Sequence, residues 1–317
     1  MEFKNIIGNT PMIKIKYKYN GETKSLYAKL EYYNLTGSIK DRLAYHIIKN
    51  AYQTNKLKKH QPIVEATSGN TGISFAALGA KLDHPVHIFM PDWVSQERIN
   101  LMKLYGANVH LVTKQEGGFK KAIEKANNLA EKLNGFRPNQ FDNIENINAH
   151  YLTTGKEITN KITNIKGFIS GIGTGGTLMG ISKRIKEQNP KAIIIAMEPE
   201  KMPLLSQGKI IENHKIEGIG DDFIPNIVNR NIIDKIITVN DDDAINMTRL
   251  LSKKLGLGVG ISSGANFIAG VLSNIDEIVT VFPDDSKKYL STELVENIKD
   301  NQSFISNQIE LIDFKVV

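Results

Sequence analysis

The chain has 317 residues, with 40 lysines and arginines against 34 acidic residues and a net charge of +6. Because the basic residues are scattered, with no basic arm or arginine stripe, the sequence predicts no nucleic-acid partner. The lack of cysteine excludes disulfides, thiolate metal sites and a thiol nucleophile. No apolar segment approaches the length of a membrane span and the N-terminus has no apolar signal-peptide core, so we expect a cytoplasmic location and no membrane partner.

Short apolar segments alternate with helical ones along most of the chain. Predicted strands cover residues 26–30, 62–66, 86–90, 109–112, 167–170, 192–197 and 278–282. This βαβ alternation predicts an α/β fold with mostly parallel, twisted sheets flanked by helices. Because ligands of such folds bind at the carboxyl ends of the strands, the segments that follow the strands are the first candidates for a site.

Lys40 lies beyond the first of these strands, at the start of a helix predicted for residues 38–52. Ser38 and Asp41 have the Ser-x-x-Asp spacing of a capping box, which places Lys40 in the first helical turn. There we expect the helix dipole and the cation of Arg42 to lower the pKa of Lys40. A neutral lysine amine can hold an aldehyde cofactor as a Schiff base. Taken alone, Lys40 is also compatible with an ordinary solvated lysine.

A second segment, residues 67–72, has the sequence Thr-Ser-Gly-Asn-Thr-Gly and joins a predicted strand to a helix predicted for residues 73–82. Its small residues leave successive backbone N–H groups free to converge on an anion, either a carboxylate or a phosphate. The alternative is an ordinary glycine-containing turn in which serine or threonine caps the helix.

A glycine-rich turn at residues 171–177 has the sequence Gly-Ile-Gly-Thr-Gly-Gly-Thr and precedes a helix predicted for residues 178–187. Its glycines let the backbone close around a phosphate, with two threonine hydroxyls and the helix N-terminus completing the cradle. The turn also satisfies Gly-x-Gly-x-x-Gly, and Glu198 lies about where a ribose-binding acid would follow. A dinucleotide site, as in an NAD-dependent dehydrogenase, is therefore the alternative, although a phosphorylated aldehyde cofactor would use all three motifs.

Together these motifs resemble the pyridoxal-phosphate enzymes of the cysteine synthase and cystathionine beta-synthase family, which have the tryptophan synthase beta-like fold type II. Short matches run in family order along almost the whole chain and include Gly8-Asn9-Thr10-Pro11, Met90-Pro91 with Ser95, Glu97 and Arg98, Tyr105-Gly106-Ala107, Thr153-Thr154-Gly155, Gly218-Ile219-Gly220 and Gly260-Ile261-Ser262-Ser263-Gly264. The resemblance implies pyridoxal 5'-phosphate as the cofactor and an enzyme that acts at the β-carbon of cysteine or an activated serine.

The resemblance also implies a homodimer of two-domain subunits. Residues 35–147 would form a smaller, mobile domain, and residues 1–34 plus 148–302 a larger, cofactor-binding domain. Residues 303–317 would form a C-terminal tail, whose alternating pattern predicts an edge strand or a dimer contact. Closure of the smaller domain would keep bulk water away from a reactive intermediate.

Residue by residue, the resemblance assigns roles around the cofactor. Lys40 would form the Schiff base and, once released, take the Cα proton, and Asn70 would meet the phenolic oxygen of the cofactor. The residues that would hold the cofactor phosphate are Gly173, Thr174, Gly175, Gly176 and Thr177. Those that would hold the amino-acid substrate are Thr67, Ser68, Asn70, Thr71, Gln140 and Gly218.

The chain departs from the cysteine synthase pattern after Gly220, where the synthases carry small uncharged residues and this chain has Asp221 and Asp222. Cystathionine beta-synthases resemble it at Asp222 but carry an aromatic residue in place of Asp221. A carboxylate beside the β-carbon would repel hydrosulfide and could accept a proton from water. We therefore predict that Asp221 or Asp222 is a catalytic residue that directs water onto the β-carbon. The alternative is a solvated Asp221 that caps a turn.

A second departure follows the predicted strand at 278–282. The family usually has Pro-Asp-Ser-Gly there, with the serine hydroxyl meeting the pyridine nitrogen, whereas residues 283–286 are Pro-Asp-Asp-Ser. Asp285 in that place would keep the nitrogen protonated and deepen the electron sink. A slip of one residue would put Ser286 there instead, and the sequence leaves both arrangements open.

The leading interpretation is a β-replacement or β-elimination enzyme of sulfur amino-acid metabolism that converts L-cysteine and water into L-serine and hydrogen sulfide. The alternatives within this class are cysteine synthesis from O-acetylserine and sulfide, and condensation of cysteine with a second thiol. An alternative of another class is a cofactor-bound regulatory partner of a second protein.

His150 is interpreted as a packing residue and His214 as a residue at the cleft mouth. No pair of histidines has metal-ligand spacing with a nearby carboxylate, so we predict no metal site.

Overall fold

The computed structural model describes residues 2–296 and 301–317. The strands within these ranges are β1 (Met12–Tyr19), β2 (Glu22–Leu30), β3 (Ile63–Ala66), β4 (Val86–Pro91), β5 (Asn108–Val112), β6 (Gly167–Gly171), β7 (Ile193–Pro199), β8 (Lys235–Val239), β9 (Ile278–Phe282) and β10 (Glu310–Val316). All seven strands predicted from apolar runs are present, as β2 to β7 and β9.

The helices within the same ranges are α1 (Lys40–Gln53), α2 (Asn70–Leu82), α3 (Gln96–Leu104), α4 (Gly118–Lys132), α5 (Glu145–Ala149), α6 (Lys156–Lys161), α7 (Gly176–Gln188), α8 (Leu204–Gln207), α9 (Asp241–Leu255) and α10 (Ile261–Leu272). A π-helical turn, His150–Gly155, joins α5 to α6. Local sequence explains the clearest boundaries: the Asn240 side chain accepts hydrogen bonds from the first turn of α9, and Gly256, at a φ of +68°, ends this helix.

The larger sheet has seven strands in the order β10-β1-β2-β9-β6-β7-β8. β1 is antiparallel to both of its neighbours, and every other pair is parallel. The smaller sheet has the order β3-β4-β5 and is wholly parallel. Helices flank these sheets, and the predicted α/β fold with mostly parallel sheets is therefore confirmed.

The side chains of successive residues in the buried strands lie on opposite faces of the larger sheet. In β6, Phe168 packs among apolar residues of α7 and β7, whereas Ile169 packs among those of α9 and α10. Both side chains are fully buried. This two-sided burial explains why β6, β7 and β9 consist of almost continuous apolar runs.

The smaller sheet also has apolar layers on both faces. One layer combines β3 and β4 with α1, α2 and α3, and the other combines them with α4. This sheet lies within residues 35–147, although the proposed domain boundaries stay a prediction. The tail does contain an edge strand, because β10 pairs along β1 at the end of the larger sheet.

Candidate active site

Three segments beyond the carboxyl ends of β2, β3 and β6 meet in one cleft. The predicted site residues that line it are Lys40, Thr67, Ser68, Asn70, Thr71, Gln140, Gly173, Thr174, Gly175, Thr177, Gly218 and Asp221. The predicted residues outside this lining are Gly176, Asp222, Asp285 and Ser286. Residues far apart in the sequence thus converge at the place where parallel sheets bind ligands.

Lys40 lies in the first turn of α1, as predicted, although the helix begins at Lys40 itself and not at residue 38. Its half-buried side chain lines the cleft. Burial lowers the pKa of Lys40 to about 8, and the charges of Asp221 and Asp284 oppose this shift. The amine is therefore much less basic than an exposed lysine. This property suits both Schiff-base formation and proton transfer near neutral pH.

The capping box predicted at the start of α1 forms only in part. The Lys40 N–H donates to Ser38 Oγ at 3.3 Å, but the Asp41 carboxylate does not accept a hydrogen bond from the Ser38 N–H. This buried carboxylate instead accepts hydrogen bonds from the Thr36 N–H at 2.7 Å and from the Ser74 hydroxyl at 2.7 Å. Asp41 therefore ties the start of α1 to the loop before it and to α2.

Arg42 does not have the predicted role of lowering the pKa of Lys40. Its guanidinium is buried in a bidentate ion pair with Glu31 and a further pair with Glu157, with N–O distances of 2.6 Å for the nearest atoms of each. Lys29, which is also buried, lies 2.7 Å from Glu157. Arg42 therefore anchors α1 to the larger sheet, and burial is the main cause of the Lys40 shift.

The turn after β3 brings the predicted substrate-binding residues together. Thr67 Oγ1 accepts a hydrogen bond from the Gly69 N–H at 3.0 Å, and the Thr71 hydroxyl donates to Gln140 Oε1 at 2.7 Å. Gln140 Nε2 in turn donates to a backbone carbonyl of β3. Because α2 begins at Asn70, N–H groups of its first turn lack intrahelical acceptors and can receive a carboxylate.

The glycine-rich turn can have this shape only with glycine at several positions. A Cβ at Gly173 would lie 2.4 Å from the carbonyl oxygen of Gly218, and one at Gly176 would lie 2.0 Å from Asn146 Oδ1. Gly175 has a φ of +87°, which side-chain-bearing residues rarely adopt. The glycines therefore allow neighbouring backbone to approach the start of α7.

Asn146, which no motif revealed, and His150, which was interpreted as a packing residue, support the hydroxyls of this turn. Asn146 Nδ2 donates to Thr174 Oγ1 at 2.9 Å, and His150 Nε2 lies 3.3 Å from Thr177 Oγ1. His150 is fully buried, and burial lowers its pKa well below the usual range. Both residues come from the α5 region, and no local signal in the sequence connects that region with the turn.

The structure separates the two aspartates of the 218–222 loop. Asp221 lines both the cleft with Lys40 and an adjoining pocket, whereas Asp222 lines only the adjoining pocket. Burial raises the pKa of Asp221 to about 6, the charge of Asp222 adds to the shift, and the Lys40 charge opposes it. Asp222 Oδ2 is 3.5 Å from Lys120 Nζ. Asp221 is therefore the better placed of the two to act beside Lys40.

Asp285 and Ser286 lie just beyond the cleft, at the start of a short 3-10 helix. Asp285 caps this helix by accepting a hydrogen bond from the Lys287 N–H at 3.0 Å. The Ser286 N–H donates to the carbonyl of Gly258. Neither side chain is placed among the residues that line the cleft, so a contact with the pyridine nitrogen stays a prediction for both.

The buried acid next to the cleft is Asp284, which sequence reasoning did not single out. Its Oδ2 accepts hydrogen bonds from Asn70 Nδ2 and from the Tyr289 hydroxyl, both at 2.7 Å. Arg98 lines the cleft, is almost fully buried, and lies with its guanidinium 4.6 Å from the centre of the Tyr289 ring. Arg98 also pairs with Glu217, beside the 218–222 loop. The matches in family order contained Arg98 but gave it no role.

Glu198 contradicts the dinucleotide alternative. Its buried carboxylate accepts hydrogen bonds from the backbone N–H groups of Leu205 at 2.8 Å and Ser206 at 3.1 Å, and from the Ser206 hydroxyl. It therefore holds the start of α8 and has no free face for a ribose. The prediction that Glu198 binds a ribose is therefore wrong, because its carboxylate is already bonded to the start of α8.

The cleft fits a phosphorylated aldehyde. It combines a lysine amine of lowered pKa, a glycine turn that no Cβ could enter, and Asn70, whose buried Oδ1 has no hydrogen-bond partner in the described part of the chain. No cluster of three or more metal-ligating side chains occurs within residues 2–296 and 301–317. Among those same residues, we find no helix with the length and apolar character needed to cross a bilayer.

Known proteins of similar sequence agree with the geometry. The family model described as pyridoxal-phosphate dependent enzyme matches residues 3–284. A cysteine synthase of Staphylococcus aureus (strain Mu50) is 42% identical over 296 residues, which cover 91% of this chain and 95% of that protein. Cysteine synthase B of Campylobacter jejuni is 44% identical over 295 residues, which cover 91% and 96%.

Solved structures agree as well. A hydrogen sulfide-producing enzyme of Fusobacterium nucleatum has a TM-score of 0.95 and 49% identity, with coverage of 99% of this chain and 97% of that one. A variant of that enzyme, in which an aspartate is replaced by asparagine, was solved with an alpha-aminoacrylate intermediate, and has a TM-score of 0.96, 50% identity and the same coverage. The cofactor is therefore pyridoxal 5'-phosphate, and the dehydrogenase alternative is wrong. The chain belongs to the cysteine synthase and cystathionine beta-synthase family of fold type II, and is a pyridoxal-phosphate-dependent enzyme of cysteine metabolism that acts at the β-carbon of its substrate.

Proposed function

We propose that the protein converts L-cysteine and water into L-serine and hydrogen sulfide. The observation that carries this proposal is Asp221, a half-buried carboxylate with a pKa raised to about 6 in the same cleft as Lys40. Water needs a base at the carbon that it attacks, whereas a hydrosulfide anion needs none and is repelled by a carboxylate. The hydrogen sulfide-producing relative, and its aspartate-to-asparagine variant with alpha-aminoacrylate, support this choice.

The cofactor, when bound, supplies an electron sink that lets a substituent leave the β-carbon of the substrate. In this proposal Lys40 holds its aldehyde, Asn70 meets its phenolic oxygen, and residues 173–177 hold its phosphate. With a pKa of about 8, the Lys40 amine can take the Cα proton when it is free.

The substrate carboxylate is best received by the turn at 67–72. Its positive character comes from the N-terminus of α2, a helix of 13 residues. The hydrogen bond between Thr71 and Gln140 fixes both side chains before substrate arrives, so little ordering is required on binding. Orientation by this turn would place the β-carbon toward Asp221.

Asp221 then acts on the second substrate. At pH 7 a carboxylate with a pKa of about 6 is ionised in roughly nine molecules of ten, yet it is far more basic than an exposed aspartate. The bond between Cβ and sulfur breaks, hydrosulfide departs, and a Cβ–oxygen bond forms as water gives one proton to Asp221. Hydrosulfide takes up that proton, through solvent, to become hydrogen sulfide, and the Lys40 amine returns its proton to Cα, so the atoms of cysteine and water equal those of serine and hydrogen sulfide.

Cysteine synthesis from O-acetylserine and sulfide is the second candidate, because the curated relatives of the chain are named cysteine synthases. Condensation of cysteine with a second thiol would use the same cleft with a different nucleophile. Both reactions bring a thiolate or hydrosulfide toward the β-carbon, where Asp221 would oppose it. Because the chain belongs to a family of enzymes, we do not favour the alternative that it is a regulatory partner of a second protein with little turnover of its own.

The test is to incubate the holoenzyme with L-cysteine alone in ¹⁸O-labelled water and to measure sulfide, serine, pyruvate and lanthionine. Equal amounts of sulfide and serine, with one ¹⁸O in the serine hydroxyl, are expected. Sulfide accompanied by pyruvate or lanthionine, with no serine, would contradict the proposal. A parallel incubation with O-acetylserine and sulfide compares the rate of the second candidate.

We also propose that the subunits, of 35.3 kDa, form a homodimer in the cytoplasm and that residues 35–147 move as a unit during closure. The parallel sheet of β3 to β5, with its own apolar layers, supports such a unit. Sedimentation equilibrium of the holoenzyme should give twice the subunit mass, and a single subunit mass would contradict the dimer.

A further inference from the structure

His214 contacts the backbone of the loop that carries Asp221. Its Nε2 lies 2.7 Å from the carbonyl oxygen of Gly220. Because a carbonyl oxygen can only accept, Nε2 carries a proton and donates it. That carbonyl belongs to the peptide group joining Gly220 to Asp221, so the hydrogen bond acts directly on the backbone of the catalytic candidate.

Gly220 is also held from its other side. Its N–H donates to the carbonyl of Ile172, at 2.9 Å, in the glycine-rich turn. Gly220 has a φ of +68°, and a Cβ there would lie 2.6 Å from His214 Nε2. Glycine is thus needed both for the left-handed backbone and for the close approach of the imidazole. The two bonds together fix both peptide groups around Gly220.

The segment from which His214 extends is itself anchored. The Lys215 N–H donates to Asp241 Oδ2 at 3.0 Å, and the Ile216 side chain is fully buried. Burial is the main cause of the lowered pKa of His214, the hydrogen bond to the Gly220 carbonyl and the Asp241 charge raise it, and the Lys201 charge lowers it. The Nε2 proton is present in both the neutral tautomer selected here and the protonated ring, so His214 can donate to the loop in either charge state.

We propose that His214 is a positioning residue for the addition of water, because it keeps the 218–222 loop in the conformation that presents Asp221 to the cleft. This inference rests on the proposed function of Asp221. Release of sulfide requires Lys40, which lies on α1, whereas His214 contacts the loop that carries Asp221. Removal of the Nε2 donor should therefore affect the fate of the β-carbon after sulfide has left.

The test compares two amide variants of the holoenzyme. In His214→Gln the side-chain amide can occupy the place of imidazole Nε2 and donate to Gly220, whereas the shorter side chain of His214→Asn reaches only the place of Nδ1. We expect the Gln variant to keep the serine-to-sulfide ratio within about twofold, and the Asn variant to lower it about tenfold, with pyruvate replacing serine. Hydrogen–deuterium exchange of residues 218–224 should rise only in the Asn variant.

Three results would overturn the inference: an unchanged product ratio in His214→Asn, an equal loss of serine in both variants, or a loss of cofactor absorbance in His214→Asn, which would indicate a general structural role. Failure of the proposed function can be distinguished from failure of this inference. In that case the natural protein would release sulfide from L-cysteine without forming serine, and the positioning role would be refuted with it.

Discussion

At the residue scale, the proposed chemistry depends on the ionisation of Asp221. Burial, together with the charge of Asp222, raises its pKa to about 6, and only the ionised form can take a proton from water. Serine formation should therefore be level above about pH 7, be halved near pH 6 and fall about tenfold per pH unit below about pH 5. The pH profile of serine formation at saturating L-cysteine measures this. In Asp221→Asn, most serine should be lost while sulfide and pyruvate are still formed.

The matched control is Asp222→Asn, which removes a charge beside Asp221 and leaves the Asp221 carboxylate in place. Since the Asp222 charge contributes to the raised pKa, its removal should move the acid limb of the profile to lower pH. A shift to higher pH, or an acid limb that persists in Asp221→Asn, would show that another group controls the reaction.

The lowered pKa of Lys40 leads to a second prediction, which concerns the rate at which the apoprotein binds the cofactor. Only the neutral amine attacks the aldehyde, so the association rate should rise about tenfold from pH 6 to pH 7 and level off above pH 8. Stopped-flow absorbance measures the rate, with Lys40→Arg as the control that forms no imine. A rate still rising at pH 10 would indicate an amine of ordinary basicity.

At the element scale, the position of α1 depends on the ion pairs of Arg42. The guanidinium and the Glu31 carboxylate are both buried, so Arg42→Met leaves a buried charge without its partner. We expect the free energy of unfolding to fall by about 3–5 kcal/mol. Urea denaturation of the apoprotein measures it. Arg184→Met, which removes a more exposed pair with Glu187 at 3.4 Å, should cost less than about 1 kcal/mol. Equal losses in the two variants would contradict the argument.

The glycine-rich turn gives the second element-level prediction. A Cβ at Gly176 would displace Asn146, which also holds Thr174, so Gly176→Ala should weaken cofactor binding at least about tenfold. Titration of the apoprotein with pyridoxal 5'-phosphate measures the dissociation constant. The control is Gly270→Ala, where the nearest atom to the new Cβ is Leu26 Cδ2, the end of a flexible side chain outside the cleft lining, at 3.1 Å. A similar constant for both variants would mean that the turn has room to adjust.

The elements that could be predicted from the sequence are those with strong local patterns. Apolar runs identified the buried parallel strands, but β1 was missed because its apolar residues alternate with lysines, and the short, partly exposed β8 was missed as well. The turns after β3 and β6 could be placed because small residues between a strand and a helix are a local signal. Asp284 could not be, since its partner Asn70 is 214 positions away in the sequence.

At the scale of the whole molecule, the cleft joins parts that are packed separately. The helices beside the smaller sheet reach the 217–222 loop at two points, through Arg98 to Glu217 and through Lys120 to Asp222. The first pair includes an almost fully buried arginine, whereas Lys120 is exposed. We infer that the loop bearing Asp221 is ordered by contacts from both sheets, which couples closure of the cleft to the position of the base.

The C-terminal strand gives the prediction that belongs to this scale. Within the described ranges β10 pairs with β1 alone, and β1 and β2 lie between it and β9. Its charged residues Asp313 and Lys315 are typical of an edge that does not pair further. Removal of residues 310–317 should therefore lower the melting temperature by several degrees and expose β1, while cofactor content and turnover of the folded fraction stay unchanged. Differential scanning calorimetry measures the melting temperature, absorbance the cofactor content, and sulfide release the turnover.

The same deletion also tests whether β10 is a dimer contact. The particle mass in light scattering should fall only by the mass of the deleted segments. A halved mass would instead make β10 a dimer contact, because loss of a strand that serves only its own sheet cannot separate two subunits.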